Sequence, residues 1–145
     1  MQAEVLGSHK LDGYIIFMLN NIFVKFGRAK NCVVGMIVKS SNGVFVPVQP
    51  SPLDLMATLP FLQIARDERK KPLIILNRVM PRARLTDAMI LRLRYSGAKI
   101  ARSRISSKVI FAETFAVGRG VIDINVTSDA SKEIINVGNE IIRNL

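Results

Sequence analysis

The stretch Gly43 to Leu55, Gly-Val-Phe-Val-Pro-Val-Gln-Pro-Ser-Pro-Leu-Asp-Leu, restricts the fold more than any other in the chain. Val44 to Val48 has the apolar, β-branched character of a short buried strand, and prolines then break the run. Ser51 is a good helix N-cap, Pro52 suits a first helical position that needs no N–H, and Asp54 puts negative charge in the first turn. A strand, a tight loop and a helix start make the unit from which open α/β sheets build the rim where ligands sit.

The rest of the chain repeats that alternation. Tyr14 to Leu19 reads as a strand or one buried helical turn, and Ile22 to Phe26 as a short strand stopped at Gly27. Asn31 to Lys39 is apolar and ambiguous, with a turn at 40–43. A helix is expected from about Pro52 to Lys70, kinked or interrupted at Pro60. Pro72 to Val79 is a continuous apolar run, the pattern of a strand covered on both faces.

A loop with Pro81, Arg82 and Arg84 leads to a helix over 85–96, whose inner stripe is Leu85, Met89, Ile90 and Leu93 and whose C′ residue is Gly97. Lys99 to Ile105 is a strand with Arg102 and Arg104 on one wet face. A short helix falls within 109–117, Gly118 to Gly120 break it, and Val121 to Val126 reads as an extended linker. Ser128 caps a last helix through Asn144, with Ala130, Ile134, Val137, Ile141 and Leu145 inward. The alternation predicts an α/β fold: a parallel sheet flanked by helices.

Charge narrows the partners. The 145 residues carry a net charge of +10, and residues 66–108 alone account for a net +10, with thirteen Lys and Arg against three acids. Such a balance favours a polyanion, and with Tyr95 the one aromatic in that segment, binding would run through the phosphate backbone without reading sequence. Cys32 is the single cysteine and His9 the single histidine, which excludes an internal disulfide, a cysteine zinc site and a His-rich metal site. Cys32 reads as a small buried apolar residue. The apolar run Gly13 to Val24 holds Asn20 and Asn21 and is too short to span a bilayer, and Glu4 and Asp12 stand where a signal peptide needs positive charge. A cytoplasmic protein with no membrane partner follows as the expectation.

Nucleotide chemistry leaves few marks. A phosphate cradle ending in Lys39-Ser40 would need glycine at 33 and 38, and both are valine. Gly118-Arg119-Gly120 lacks a third glycine and reads as a turn. No catalytic constellation and no metal site is visible.

Four segments in order nevertheless resemble the ParA family of partition ATPases, relatives of MinD, over Gly43 to Leu145. Gly43 to Asp54 is similar to the family's proline loop, and Leu76-Asn77-Arg78-Val79 to its LNRV segment. Ile105 to Gly118 is similar to its I-x-x-R-x-x-F-x-E-A-x-x-x-G, and Ala130 to Ile134 to the start of its last helix. The resemblance implies the C-terminal portion of a P-loop NTPase doubly wound fold with its N-terminal part truncated: a divergent segment 1–21 followed by a ParA-like portion 22–145. Nucleotide would then meet Asn77 at the adenine, with Pro47, Pro50, Ser51, Pro52 and Asp54 shaping the loop near nucleotide and partner subunit; alternatively Asn77 satisfies local backbone groups and the loop residues only cap a helix. Arg82, Arg84, Arg102, Arg104 and Lys108 would form a surface for non-specific DNA.

The family uses ATP and Mg²⁺, pairs as homo- or hetero-dimers, works with a ParB-like adaptor and associates with the nucleoid. Counting back from the proline loop puts Lys25 where the Walker B aspartate belongs, so ATP is not expected to be held tightly or hydrolysed by this chain alone. The other readings are a stand-alone basic module that binds DNA or docks on a full-length ParA-like partner, and a decayed product with no independent function.

Overall fold

In the computed structural model, residues 16–19, 22–25, 31–80 and 84–145 are described, with side chains from 34 to 80 and from 86 to 145. The expectations for Pro81 and Arg82, and those for the side chains of Lys25, Cys32, Arg84 and Leu85, lie outside these. Five strands, β1 (Ile16–Leu19), β2 (Ile22–Lys25), β3 (Gly43–Val48), β4 (Leu73–Val79) and β5 (Lys99–Ser106), form one sheet in that order. β1 runs antiparallel to β2, and the remaining pairs are parallel. The strands at 44–48 and 72–79 are neighbours, with Val46 opposite Ile74 and Val48 opposite Leu76. The ambiguous segments resolve into β1 and into helix α1 (Asn31–Ser40).

Right-handed crossovers between neighbouring parallel strands put their helices on one face of a sheet. Accordingly α1, α2 (Pro52–Asp67) and α3 (Arg84–Tyr95) share one core, in which Val38, Phe61, Leu93, Ile74 and Leu76 are fully buried. On the other face Phe45, Leu73, Ile75 and Ala101 pack with Val137 of α6 (Asp129–Ile142). β4 sends alternate residues into both cores, which is why its sequence is apolar without a break. Among the described residues no helix is long and apolar enough to cross a membrane.

Local chemistry sets the helix ends. Ser51 Oγ accepts from Asp54 N and Pro52 opens α2. α2 runs unbroken through Pro60, because Leu55, Thr58, Phe61, Leu62 and Ala65 are buried on its other side and hold it while Pro60 stays exposed. It stops at Asp67, short of Lys70. Arg69, at φ 57°, takes the left-handed C′ position, and Lys70 N donates back to Ala65 O. Gly97, at φ 77°, fills the same role after α3, as its sequence predicts.

Two expectations are corrected at the C-terminal end. α4 (Ile110–Ala116) is followed not by an extended linker but by a helical turn, α5 (Val121–Ile124), stabilised because the Asp123 carboxylate accepts from Gly120 N at 2.8 Å. α6 ends at Ile142, so Leu145 is 57% exposed and lies off its buried stripe.

Candidate functional site

The carboxyl ends of β3, β4 and β5 enclose a cleft of about 330 Å³, lined by Gln49, Pro50, Ser51, Arg78, Met80, Thr86 and Ser107. This is the low end of the range for small-molecule sites, about 300–1,000 Å³. Each wall follows from the chain. Past Phe45, β3 has no partner in β2, so the proline at 47 leaves no β2 ladder bond unmade. The turn beyond it is fixed because Asp54 Oδ2 accepts from Gln49 N at 2.8 Å while Ser51 N donates to Gln49 O.

β4 ends in a bulge. Leu76 pairs with Arg104 and Val79 with Ser106, so three residues of β4 span two of β5. Arg78 absorbs the extra residue at φ 52°, an uncommon backbone state for a residue with a Cβ. Asn77 Oδ1 accepts from Arg78 N at 2.9 Å and so supports that state. Ser107 N donates to Val79 O and ties the ends of β4 and β5 together.

Of the residues assigned to the nucleotide or its loop from the sequence, Pro50 and Ser51 line the cleft. Pro47 is half-buried in β3, and Asn77 is spent at least in part on its own backbone. Sequence reasoning missed Gln49, Met80, Thr86 and Ser107. Gln49 lies inside the proline-loop motif, whereas Thr86 carries no signal that separates it from an ordinary first-turn threonine. Thr86 is 3% exposed, and its Oγ1 has no hydrogen-bond partner among the described residues. A hydroxyl without a partner, an amide and the apolar side chains of Pro50 and Met80 are chemically suited to a heterocyclic base. The donors for Mg²⁺ do not fit: no carboxylate lines the cleft, and no three His, Cys, Asp or Glu cluster among the described residues.

Of the proposed DNA residues, Arg84 opens α3, Arg102 and Arg104 lie on β5, and Lys108 follows it. Arg102 and Arg104 are exposed, while Lys108 Nζ is bound to Glu133 Oε1 at 2.9 Å. Glu133 also accepts from Ser106 N and Oγ, and Glu140 accepts from Arg102 N and Ser103 N at 2.8 and 2.9 Å. Burial pushes both carboxyls up, but the hydrogen bonds they accept outweigh it and hold both below the ordinary 4.5.

No protein-family model matches the chain. It is 27% identical over 105 residues to the maintenance of carboxysome distribution protein A of Halothiobacillus neapolitanus, covering 68% of this chain and 49% of that protein. It superposes on the Pyrococcus furiosus cell division ATPase MinD with a TM-score of 0.59 and 16% identity, over 72% of this chain and 44% of that one. In sequence and in fold the chain is ParA/MinD-like. It spans about half the length of each of these two ParA/MinD-like relatives. The parallel sheet flanked by helices is that of the MinD P-loop ATPase fold.

Proposed function

We propose that this chain is a ParA-like partitioning protein that receives the base end of an adenine nucleotide and does not hydrolyse ATP unaided. One observation carries the reading. The cleft where strands β3 to β5 end supplies groups for a base, yet neither a carboxylate for Mg²⁺ nor a lysine for phosphates. Phosphoryl transfer is almost wholly positioning and charge stabilisation, so a chain that holds only the base end leaves the reaction unassisted. A phosphate-release assay over rising ATP should give no saturable turnover. Turnover saturating below millimolar ATP would contradict the proposal.

A second reading is a basic module that binds DNA non-specifically, or docks on a full-length ParA-like partner and so joins a dimer with a ParB-like adaptor. The charge distribution favours it. Only two ion pairs form among the described residues, Lys108–Glu133 and Lys132–Asp129. Arg69, Lys71, Arg92, Arg94 and Arg104 are exposed with none. Association with the nucleoid would follow from the same charge.

A further inference from the structure

Five polar side chains are buried among the described residues, and four have a partner within their own neighbourhood. Ser41 Oγ donates to Val38 O, Thr58 Oγ1 to Asp54 O, Thr114 Oγ1 to Phe111 O and Ser131 Oγ to Asn125 O. Thr86 is the exception. The usual outlet for a helical threonine is a carbonyl three or four residues back. Thr86 is the third residue of α3, and its hydroxyl takes neither. A buried hydroxyl left in that state costs about 1–3 kcal/mol, so its place on the wall of the cleft at the carboxyl ends of β3 to β5 asks for a reason.

We propose that Thr86 is a ligand-binding residue, its hydroxyl completing a hydrogen bond only when a nucleobase edge enters the cleft. This rests on the nucleotide reading above. A helical threonine divides between two χ1 wells, so a modest turn brings either its hydroxyl or its methyl to the cleft. The hydroxyl both donates and accepts, as the Gln49 amide on the cleft wall does, and so meets either kind of group on a heterocycle's edge. Pro50 and Met80 supply apolar surface for the ring faces, and the Arg78 guanidinium is a planar group suited to stacking. The free protein is the less stable for carrying the unpaired hydroxyl, and ligand relieves it.

That pairing of effects gives the test an unusual sign. Thr86→Val keeps the shape and removes the hydroxyl; Thr86→Ser keeps the hydroxyl. ADP is titrated calorimetrically into the wild type and both variants, and each is melted without ligand. Thr86→Val should bind ADP about tenfold more weakly, one neutral hydrogen bond's worth, and the free variant should melt about 3 °C higher. Thr86→Ser should bind within about twofold of the wild type, since the donor and acceptor remain. Wild-type affinity in Thr86→Val overturns the inference alone and leaves the nucleotide reading standing. So does a Thr86→Val chain that melts lower or does not fold, because the hydroxyl then has a structural partner. No ADP binding by the wild type overturns both.

Discussion

Glu133 and Glu140 do at single-residue scale what a neighbouring strand would do for the free edge of β5 among the described residues. They stand seven residues apart on α6 and so on one face, and each turns its carboxylate onto N–H groups of β5 that no described strand takes up. At Glu140 the geometry depends on a register slip: Ile74 pairs with Ile100 but Leu76 with Arg104, so β5 carries two extra residues and presents the N–H groups of Arg102 and Ser103 together. Consecutive N–H groups facing one way make a natural anion cradle, here filled by the chain's own carboxylate. Because both carboxyls are held below 4.5 in the folded state, their stabilisation is complete above that pH and is lost as pH falls through the lower folded values. Urea unfolding between about pH 6 and pH 3 should show stability dropping on acidification. The Glu133→Gln, Glu140→Gln double variant should be less stable at the upper end of that range and show a flatter profile, whereas an unchanged slope would assign the acid sensitivity to other groups.

Elements are legible where local chemistry and burial agree. The strand at 44–48, the capped start of α2, the doubly buried β4, Met89, Ile90 and Leu93 on the inner side of α3 and the Gly97 stop all follow from residue type and spacing. Pro60 departs from expectation because its effect on a helix depends on what the opposite face buries, and α2 anchors five residues there. Replacing it restores an N–H to the helix and removes a ring clash of up to about 3 kcal/mol, part of which the helix already accommodates. Pro60→Ala should therefore raise the melting temperature by several degrees; a lower one would mean the proline fits α2 to its neighbours. The turn α5 is hidden from apolar periodicity because its cap is a carboxylate reaching back three residues, a signal that Asp123 alone carries. The cleft is half legible: the proline loop announces a rim, but Thr86 and Ser107 join it only through the parallel register of β4 and β5.

At the scale of the whole molecule, the candidate cleft and a cluster of cations occupy opposite ends of the strands. The cleft lies at the carboxyl ends of the strands, whereas Arg66, Lys70, Lys71 and Lys99 surround a smaller hollow of about 230 Å³ at their amino ends. Three of these cations are committed: Lys99 donates to Asn144 Oδ1, while Arg66 donates to Ser96 O at 2.5 Å and Lys70 to Ser41 O at 2.6 Å, easing carbonyls left bare near the ends of α3 and α1. Binding to DNA should therefore depend more on the exposed Arg102 and Arg104. Fluorescence anisotropy with a duplex in rising salt should show affinity falling steeply. Arg102→Glu with Arg104→Glu should flatten that slope by about 0.9 for each phosphate no longer neutralised; a slope unaltered by both changes would place the DNA on another surface. The most direct test of the cleft as the nucleotide end of this ParA/MinD-like chain is an amide-resolved NMR titration with ADP. Shifts should gather at residues 49–51, 78–80, 86 and 107. No response, or shifts gathered instead around 66–72 and 96–99, would contradict it.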